Sequence, residues 1–239
     1  MTDTLTDILA LIDRYSLYLE KCGVDFDDQG FPVMRCEWYL DDWPDLVVTY
    51  RERRSKLVTV PGNTVLCFYC ADKHIYPRWK HVLDELDEYR PFMGVIGSDV
   101  TVTKDMDSEW QQATILLNQL FNAVLAVNGI KLVQNLRIGL PSTLSCLFSV
   151  PEGVMAASGT LGCSLTAEGD FSYAVKLHTL KPSGVILYGR QDGIMAKQLS
   201  AACIPHRWYK DTHALYKQHN RERNVNRSNH CDTKETDSQ

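Results

Sequence analysis

The chain has 239 residues, of which 44% are hydrophobic and 23% are charged, a balance typical of a globular protein with a sizeable core. Its net charge of −5 argues against a protein that coats nucleic acid over its whole surface, but it allows a local basic patch. The acidic first residues lack the basic region of a signal peptide, and no apolar stretch is long enough to cross a bilayer. We therefore expect a cytoplasmic protein without membrane contact.

The first 61 residues are predicted to form a helix followed by an irregular arm. Within Thr2–Cys22 the apolar side chains recur at helical spacing, and Gly23 follows as a stop signal. These apolar residues are Leu5, Ile8, Leu9, Ile12, Tyr15 and Leu19. Residues 24–60 are rich in aspartate and contain prolines and tryptophans, which indicates an extended or irregular acidic, aromatic arm.

Residues 62–203 are predicted to form the core domain, because short apolar runs alternate there with helical patterns. The predicted strands are Val65–Tyr69, Phe92–Ile96, Ile130–Leu136, Val154–Ala157 and Gly184–Tyr188. The predicted helices are Pro77–Tyr89, Ser108–Asn128, Phe171–Leu180 and Asp192–Cys203. Consecutive βα units of this kind indicate an α/β fold with a mainly parallel sheet of about five strands. An incomplete βα barrel and an open sheet both fit this pattern, and the regular succession of units favours the barrel.

Residues 204–239 are predicted to form a basic, partly disordered tail. Residues 204–230 hold six basic and two acidic residues, a net charge of +4, and the last stretch is almost free of apolar residues. Aromatic residues, among them Trp208 and Tyr216, lie between the basic ones, a combination that can bind single-stranded nucleic acid. A solvated helix whose aromatic residues dock on the core domain is the favoured alternative.

Polar residues follow several predicted strands, and ligands bind outside the carboxyl ends of parallel strands. Asp99 and Arg137 are the candidate catalytic residues: Asp99 as a general base or a metal ligand, Arg137 as a clamp for phosphate or carboxylate. The candidate ligand-binding residues are Asp105, Asn135, Thr160, Tyr188 and Arg190. The competing interpretation is that these are solvated strand ends with internal ion pairs.

Two further motifs carry weaker signals. The glycine-rich stretch Gly159–Cys163 follows a strand, so its amides can receive an anion, but a structural turn is the favoured interpretation. Cys67 and Cys70 with His74 resemble half of a zinc site, yet the second ligand pair is missing, so we expect buried thiols and no metal. No motif in the chain identifies a cofactor.

The order of these features resembles an uncharacterised family of phages and bacterial mobile elements, domain of unknown function 4417. The resemblance is carried by Phe92–Asp99 with Asp105 and Met106, by Asn128–Arg137, by Gly159–Cys163 and by Pro182–Gly189. The chain departs from the family pattern at Gln134, where a proline is usual, and at Ile138, where a tryptophan is usual. The resemblance implies a βα fold and a phage or mobile-element setting, hence a host-cell cytoplasm, but no reaction.

Two functions from different classes are therefore expected. The first is a phage or mobile-element accessory protein with a small anionic ligand or nucleotide site at the strand ends, serving nucleotide or nucleic-acid metabolism. Whether it would be an enzyme is left open. The second is a non-enzymatic interaction protein that binds a host or phage protein through the aromatic arm around Trp38–Trp43. Nucleic-acid contact through the basic tail is the least favoured of the candidate interactions.

Overall fold

The protein is represented by a computed structural model that describes residues 5–103, 105–161, 165–218 and 220–221. Its helices are α1 (Leu5–Lys21), α2 (Tyr76–His81), α3 (Leu86–Tyr89), α4 (Ser108–Val127), α5 (Ser172–Leu180) and α6 (Gly193–Ala201). Residues 212–218 are also helical. None of the helices in the described ranges combines the length and the apolar character that crossing a bilayer requires.

The strands form one sheet in which every neighbouring pair is parallel. They are β1 (Leu46–Thr49), β2 (Thr64–Cys67), β3 (Gly94–Ile96), β4 (Leu132–Asn135), β5 (Met155–Gly159), β6 (Gly184–Tyr188) and β7 (His206–Tyr209). Their spatial order is their sequence order, β1 to β7. In such an order each connection moves one place along the sheet, as in a βα barrel.

Alternate residues of each strand point to opposite sides of the sheet, and the residues on both sides are apolar. One set forms the barrel interior: Val47, Val65, Cys67, Ile96, Val133, Met155, Ala157, Ile186 and Tyr188. The alternate set packs against the surrounding helices and includes Val48, Leu66, Val95, Leu132, Ala156 and Leu187. These double-sided apolar strands explain why short hydrophobic runs predict the parallel sheet.

The barrel is nearly closed by contacts between its last strand and the segment before its first strand. The Tyr209 hydroxyl donates a hydrogen bond to the Pro44 carbonyl at 2.7 Å. The Arg207 guanidinium lies 4.7 Å from the centre of the Trp43 ring. Gly184 makes room for this ring, since a Cβ there would lie 2.7 Å from it. Of the two predicted architectures the incomplete barrel is therefore the one observed.

The α/β fold, the parallel sheet and the N-terminal helix are confirmed, but the predicted count of about five strands is wrong. The two missed strands lie outside the predicted core, residues 62–203, in segments interpreted as an irregular arm and a basic tail. β1 is four residues long and directly follows Pro44 and Asp45, and its partner follows 18 residues later, Leu46 opposite Thr64. β7 carries charged and aromatic side chains because it is a partly exposed edge strand. The tail beyond residue 221 lies outside the described residues.

The helix α1 covers the outer surface of the buried helix α4. These two helices pack against each other more extensively than any other pair of helices in the described residues. Ile8, Leu11, Tyr15 and Leu19 form its buried stripe. The Tyr15 hydroxyl also donates to the Trp79 carbonyl, which ties α1 to α2. The N-terminal helix is thus part of the outer layer of the barrel.

Candidate functional site

A cavity of about 180 Å³ opens at the carboxyl ends of the central strands. The segments after β3, β4, β5 and β6 line it together with the first turns of α5. We call it the strand-end cavity, and its principal polar side chains are Asp99, Arg137, Thr160, Tyr173, Lys176 and Asp192. Four of the seven predicted site residues meet at this cavity: Asp99, Asn135, Arg137 and Thr160.

Asp99 and Arg137, the two candidate catalytic residues, bind each other. Arg137 Nε donates to Asp99 Oδ1 at 2.8 Å and its Nη2 donates to Oδ2 at 2.9 Å, a two-pronged ion pair. Asn135 Nδ2 adds a third hydrogen bond to Oδ1 at 2.8 Å. Only 8% of the Asp99 side chain is exposed, so the pair fixes the cavity floor, and both carboxylate oxygens already accept from protein donors.

The uppermost layer of the barrel interior supports this floor. The Tyr69 hydroxyl donates to Asn135 Oδ1 at 3.3 Å, and its ring stacks on Tyr188 with 5.6 Å between the centroids. Gly159 allows this arrangement, because a Cβ at that position would lie 2.5 Å from the Tyr69 ring. Tyr188 is itself fully buried below the cavity, where its hydroxyl lies 3.1 Å from Thr212 Oγ1, so it does not line the cavity.

The other two predicted ligand-binding residues also lie away from the cavity. Asp105 is fully exposed in the loop that precedes α4. The side chain of Arg190 is exposed, and its backbone carbonyl lies at the rim, where it accepts from Thr160 Oγ1 at 2.8 Å. Thr160 therefore joins the ends of β5 and β6. The glycine-rich stretch, residues 159–163, is described only to residue 161, so its proposed anion contact lies partly outside the described residues.

Lys176 on α5 lines the cavity although the sequence pattern does not single it out. Burial, and secondarily the positive charge of Arg137, lower the pKa of Lys176 to about 8. In the described part of the chain its Nζ makes no hydrogen bond or ion pair. A lysine on a predicted amphipathic helix is ordinarily solvent-exposed. In α5, however, Lys176 lies four residues after Ser172, so both side chains lie on the face of the helix that lines the cavity.

Asp192 holds the rim of the cavity in place. Its Oδ1 accepts from the backbone N–H groups of Ile194 and Met195, so it caps α6. Its Oδ2 accepts from the Thr166 N–H at 2.7 Å. Burial opposes ionisation of Asp192, but these donors outweigh it and hold the pKa of the carboxyl below its ordinary value. The negative charge of Asp192 is thus already compensated by protein dipoles.

The cysteine pair of the predicted half-site belongs to the barrel. Cys67 is buried in the barrel interior and Cys70 is half-buried beyond the end of β2. Within the described ranges no three His, Cys, Asp or Glu side chains cluster in a way that could hold a metal ion.

Comparison with protein families matches residues 29–206 to the domain of unknown function DUF4417. This match begins before β1 and ends at the start of β7, so it covers nearly the whole barrel and the strand-end cavity. Comparisons with curated proteins and with solved structures found no match. Because this match covers most of its length, the chain belongs to the DUF4417 family.

Proposed function

We propose that the strand-end cavity binds a small anionic ligand through the ammonium group of Lys176, with Arg137 beside it. The observation that carries this proposal is a lysine that faces a cavity and, within the described residues, makes no direct hydrogen bond or ion pair, at the end of a barrel where ligands ordinarily bind. An anion there would favour the charged form of Lys176, which the protein alone disfavours.

The cavity is lined by three carboxylates and two basic side chains, and each of the carboxylates already accepts hydrogen bonds from the protein. The carboxylate of Asp99 is paired with Arg137, and that of Asp192 accepts three backbone hydrogen bonds. Asp170 accepts from the Ser172 N–H at 2.8 Å. The hydroxyl groups of Ser172 and Tyr173 can donate further hydrogen bonds to a phosphate or carboxylate, and that of Tyr173 already accepts from Ser158 Oγ.

The size of the cavity restricts the ligand class. Pockets that enclose drug-sized ligands have volumes of roughly 300–1,000 Å³. About 180 Å³ accommodates a phosphate or carboxylate group with a few further atoms. A nucleotide would therefore place only its phosphate in the cavity. With the resemblance described above, this favours a phage or mobile-element accessory protein that handles small phosphorylated or carboxylated metabolites.

The test measures the affinity of the full chain for inorganic phosphate, methyl phosphate and acetate by isothermal titration calorimetry. Lys176→Met should weaken binding of whichever anion the wild type prefers by about tenfold or more, because it removes a charge-assisted hydrogen bond. Lys197→Met is the matched control, since Lys197 is exposed on α6 outside the cavity. Equal affinities of the wild type and Lys176→Met would refute the proposal.

The alternative, an interaction protein that uses the aromatic arm, has less support. Trp38 and Trp43 are half-buried, and each packs beside an arginine of the same chain, Arg35 and Arg207. Their rings therefore contribute to the stability of the barrel, which leaves little of them for a partner.

A further inference from the structure

An apolar cleft of about 270 Å³ lies beside the strand-end cavity. Its apolar lining consists of Val102, Ile138, Pro141, Leu144 and Val175, and we call it the apolar cleft. The cavity and the cleft share three lining residues: Ile138, Ser172 and Lys176. Lys176 therefore stands at the boundary between a polar and an apolar compartment.

The connection between β4 and β5 forms one wall of the cleft, and it contains no α-helix. A seven-residue 3₁₀ helix, Pro141–Leu147, takes its place next to α5. Gly139 lets this segment approach the loop before α4, since a Cβ there would lie 2.8 Å from Val102. Pro141 and Leu144 of this short helix line the cleft together with Val175 of α5.

The walls of the cleft expose apolar side chains that a ligand can cover. Val175 on α5 is 49% exposed, although it lies between the buried positions of the same helix. Exposed apolar area that borders a polar cavity is typical of sites for ligands that have both kinds of surface.

We propose that the ligand of this site is amphiphilic, an acid whose head lies in the strand-end cavity and whose hydrocarbon or aromatic substituent lies in the apolar cleft. This inference rests on the proposed anion site and adds the class of its ligand. The continuity of the two compartments at Lys176 means that one molecule can fill both. The apolar part would cover Val175, while the head would contact the Lys176 ammonium.

The proposal predicts how affinity depends on the length of the substituent. Each methylene that moves from water into the cleft should raise affinity by about threefold to fourfold. The probes are inorganic phosphate, methyl phosphate, butyl phosphate and hexyl phosphate, titrated against the full chain by calorimetry. A parallel series of acetate, butanoate and hexanoate shows which head group is preferred, and both series should rise with chain length.

A pair of valine variants assigns this dependence to the cleft. Val175→Gln keeps a good helix former at an exposed position of α5 and should lower the affinity for hexyl phosphate at least threefold, with methyl phosphate unchanged. Val60→Gln is the control, because Val60 is 53% exposed outside the cleft and should change neither affinity.

The outcomes separate this inference from the proposed function. If methyl and hexyl phosphate bind equally well and Lys176→Met weakens both, the anion site stands and the amphiphilic ligand is refuted. If affinity rises with length but Val175→Gln and Val60→Gln behave alike, the apolar part lies elsewhere and the proposal is overturned. If none of the phosphates or carboxylates binds, both the anion site and the amphiphilic ligand are refuted.

Discussion

The ion pair between Asp99 and Arg137 should contribute measurably to stability because one of its partners is almost completely buried. Only 8% of the Asp99 side chain is exposed, against 26% for Arg137. Breaking a buried pair by removing one partner costs about 3–5 kcal/mol, since it leaves an uncompensated charge. In Arg137→Met, Asn135 still donates to Asp99 and water reaches the vacated space, so we expect a cost at the lower end, about 3 kcal/mol.

A double-mutant cycle measures the interaction itself. Asp99→Asn removes the charge without changing the shape, so the double variant with Arg137→Met no longer contains a buried, unpaired carboxylate. The two changes should therefore be non-additive, with a coupling free energy of about 2 kcal/mol. The assay is equilibrium unfolding in urea, with the slope of free energy against urea concentration checked for constancy across the variants.

An exposed ion pair serves as the control for the same type of substitution. Arg90 pairs with Asp87 on the surface, where 54% and 88% of the two side chains are exposed. Arg90→Met should cost less than about 1 kcal/mol, as is usual for surface pairs. The reasoning is refuted if Arg137→Met costs no more than Arg90→Met, or if the two changes of the cycle are additive.

Three further variants test other parts of the site. Below pH 8 the charged Lys176 destabilises the folded chain by up to about 3 kcal/mol, and this penalty disappears as pH rises from its folded pKa of about 8 to 10.5. Lys176→Met should thus be more stable than the wild type at pH 7, by a margin that shrinks towards pH 10; a constant margin would contradict the pKa shift. Gly159→Ala should destabilise the chain by about 1–3 kcal/mol in thermal unfolding, because its Cβ would overlap the Tyr69 ring, whereas Gly193→Ala, with open space around it, should be nearly neutral. Asp192→Ala should cost about 1–2 kcal/mol and speed hydrogen exchange of the amides it caps, and unchanged exchange would count against its role at the rim.

The sequence predicts those elements whose stability depends on local hydrophobic pattern. The strand at Gly184–Tyr188 has the predicted bounds, and the long helix at Ser108–Val127 differs from the prediction by one residue. β1 and β7 are missed because their pairing depends on distant partners: β1 pairs along its length with β2, and β7 with β6. Composition alone therefore predicts an irregular arm and a basic tail in the segments that form the edge strands β1 and β7.

The sequence predicts the site residues that directly follow strand ends, and it misses the residues whose position depends on tertiary packing. Asn135 and Arg137 are two residues apart, so the alternation of a strand places both on the same face, the one that lines the strand-end cavity. The same alternation places Tyr188 on the inward face with Ile186, but Tyr188 is fully buried below the cavity and does not line it, which alternation alone does not predict. The position of Lys176 depends on how α5 packs against α6 and the 3₁₀ helix Pro141–Leu147, which no local pattern of the sequence specifies.

The most direct test of the anion site is a crystal structure of the full chain grown with methyl phosphate, compared with Lys176→Met crystals grown in the same way. We expect the phosphate in the strand-end cavity, with an oxygen about 2.7–2.9 Å from Lys176 Nζ, and its absence from the Lys176→Met crystals. A strand-end cavity that contains only water in wild-type crystals, at a concentration of methyl phosphate that saturates the calorimetric titration, would contradict the account.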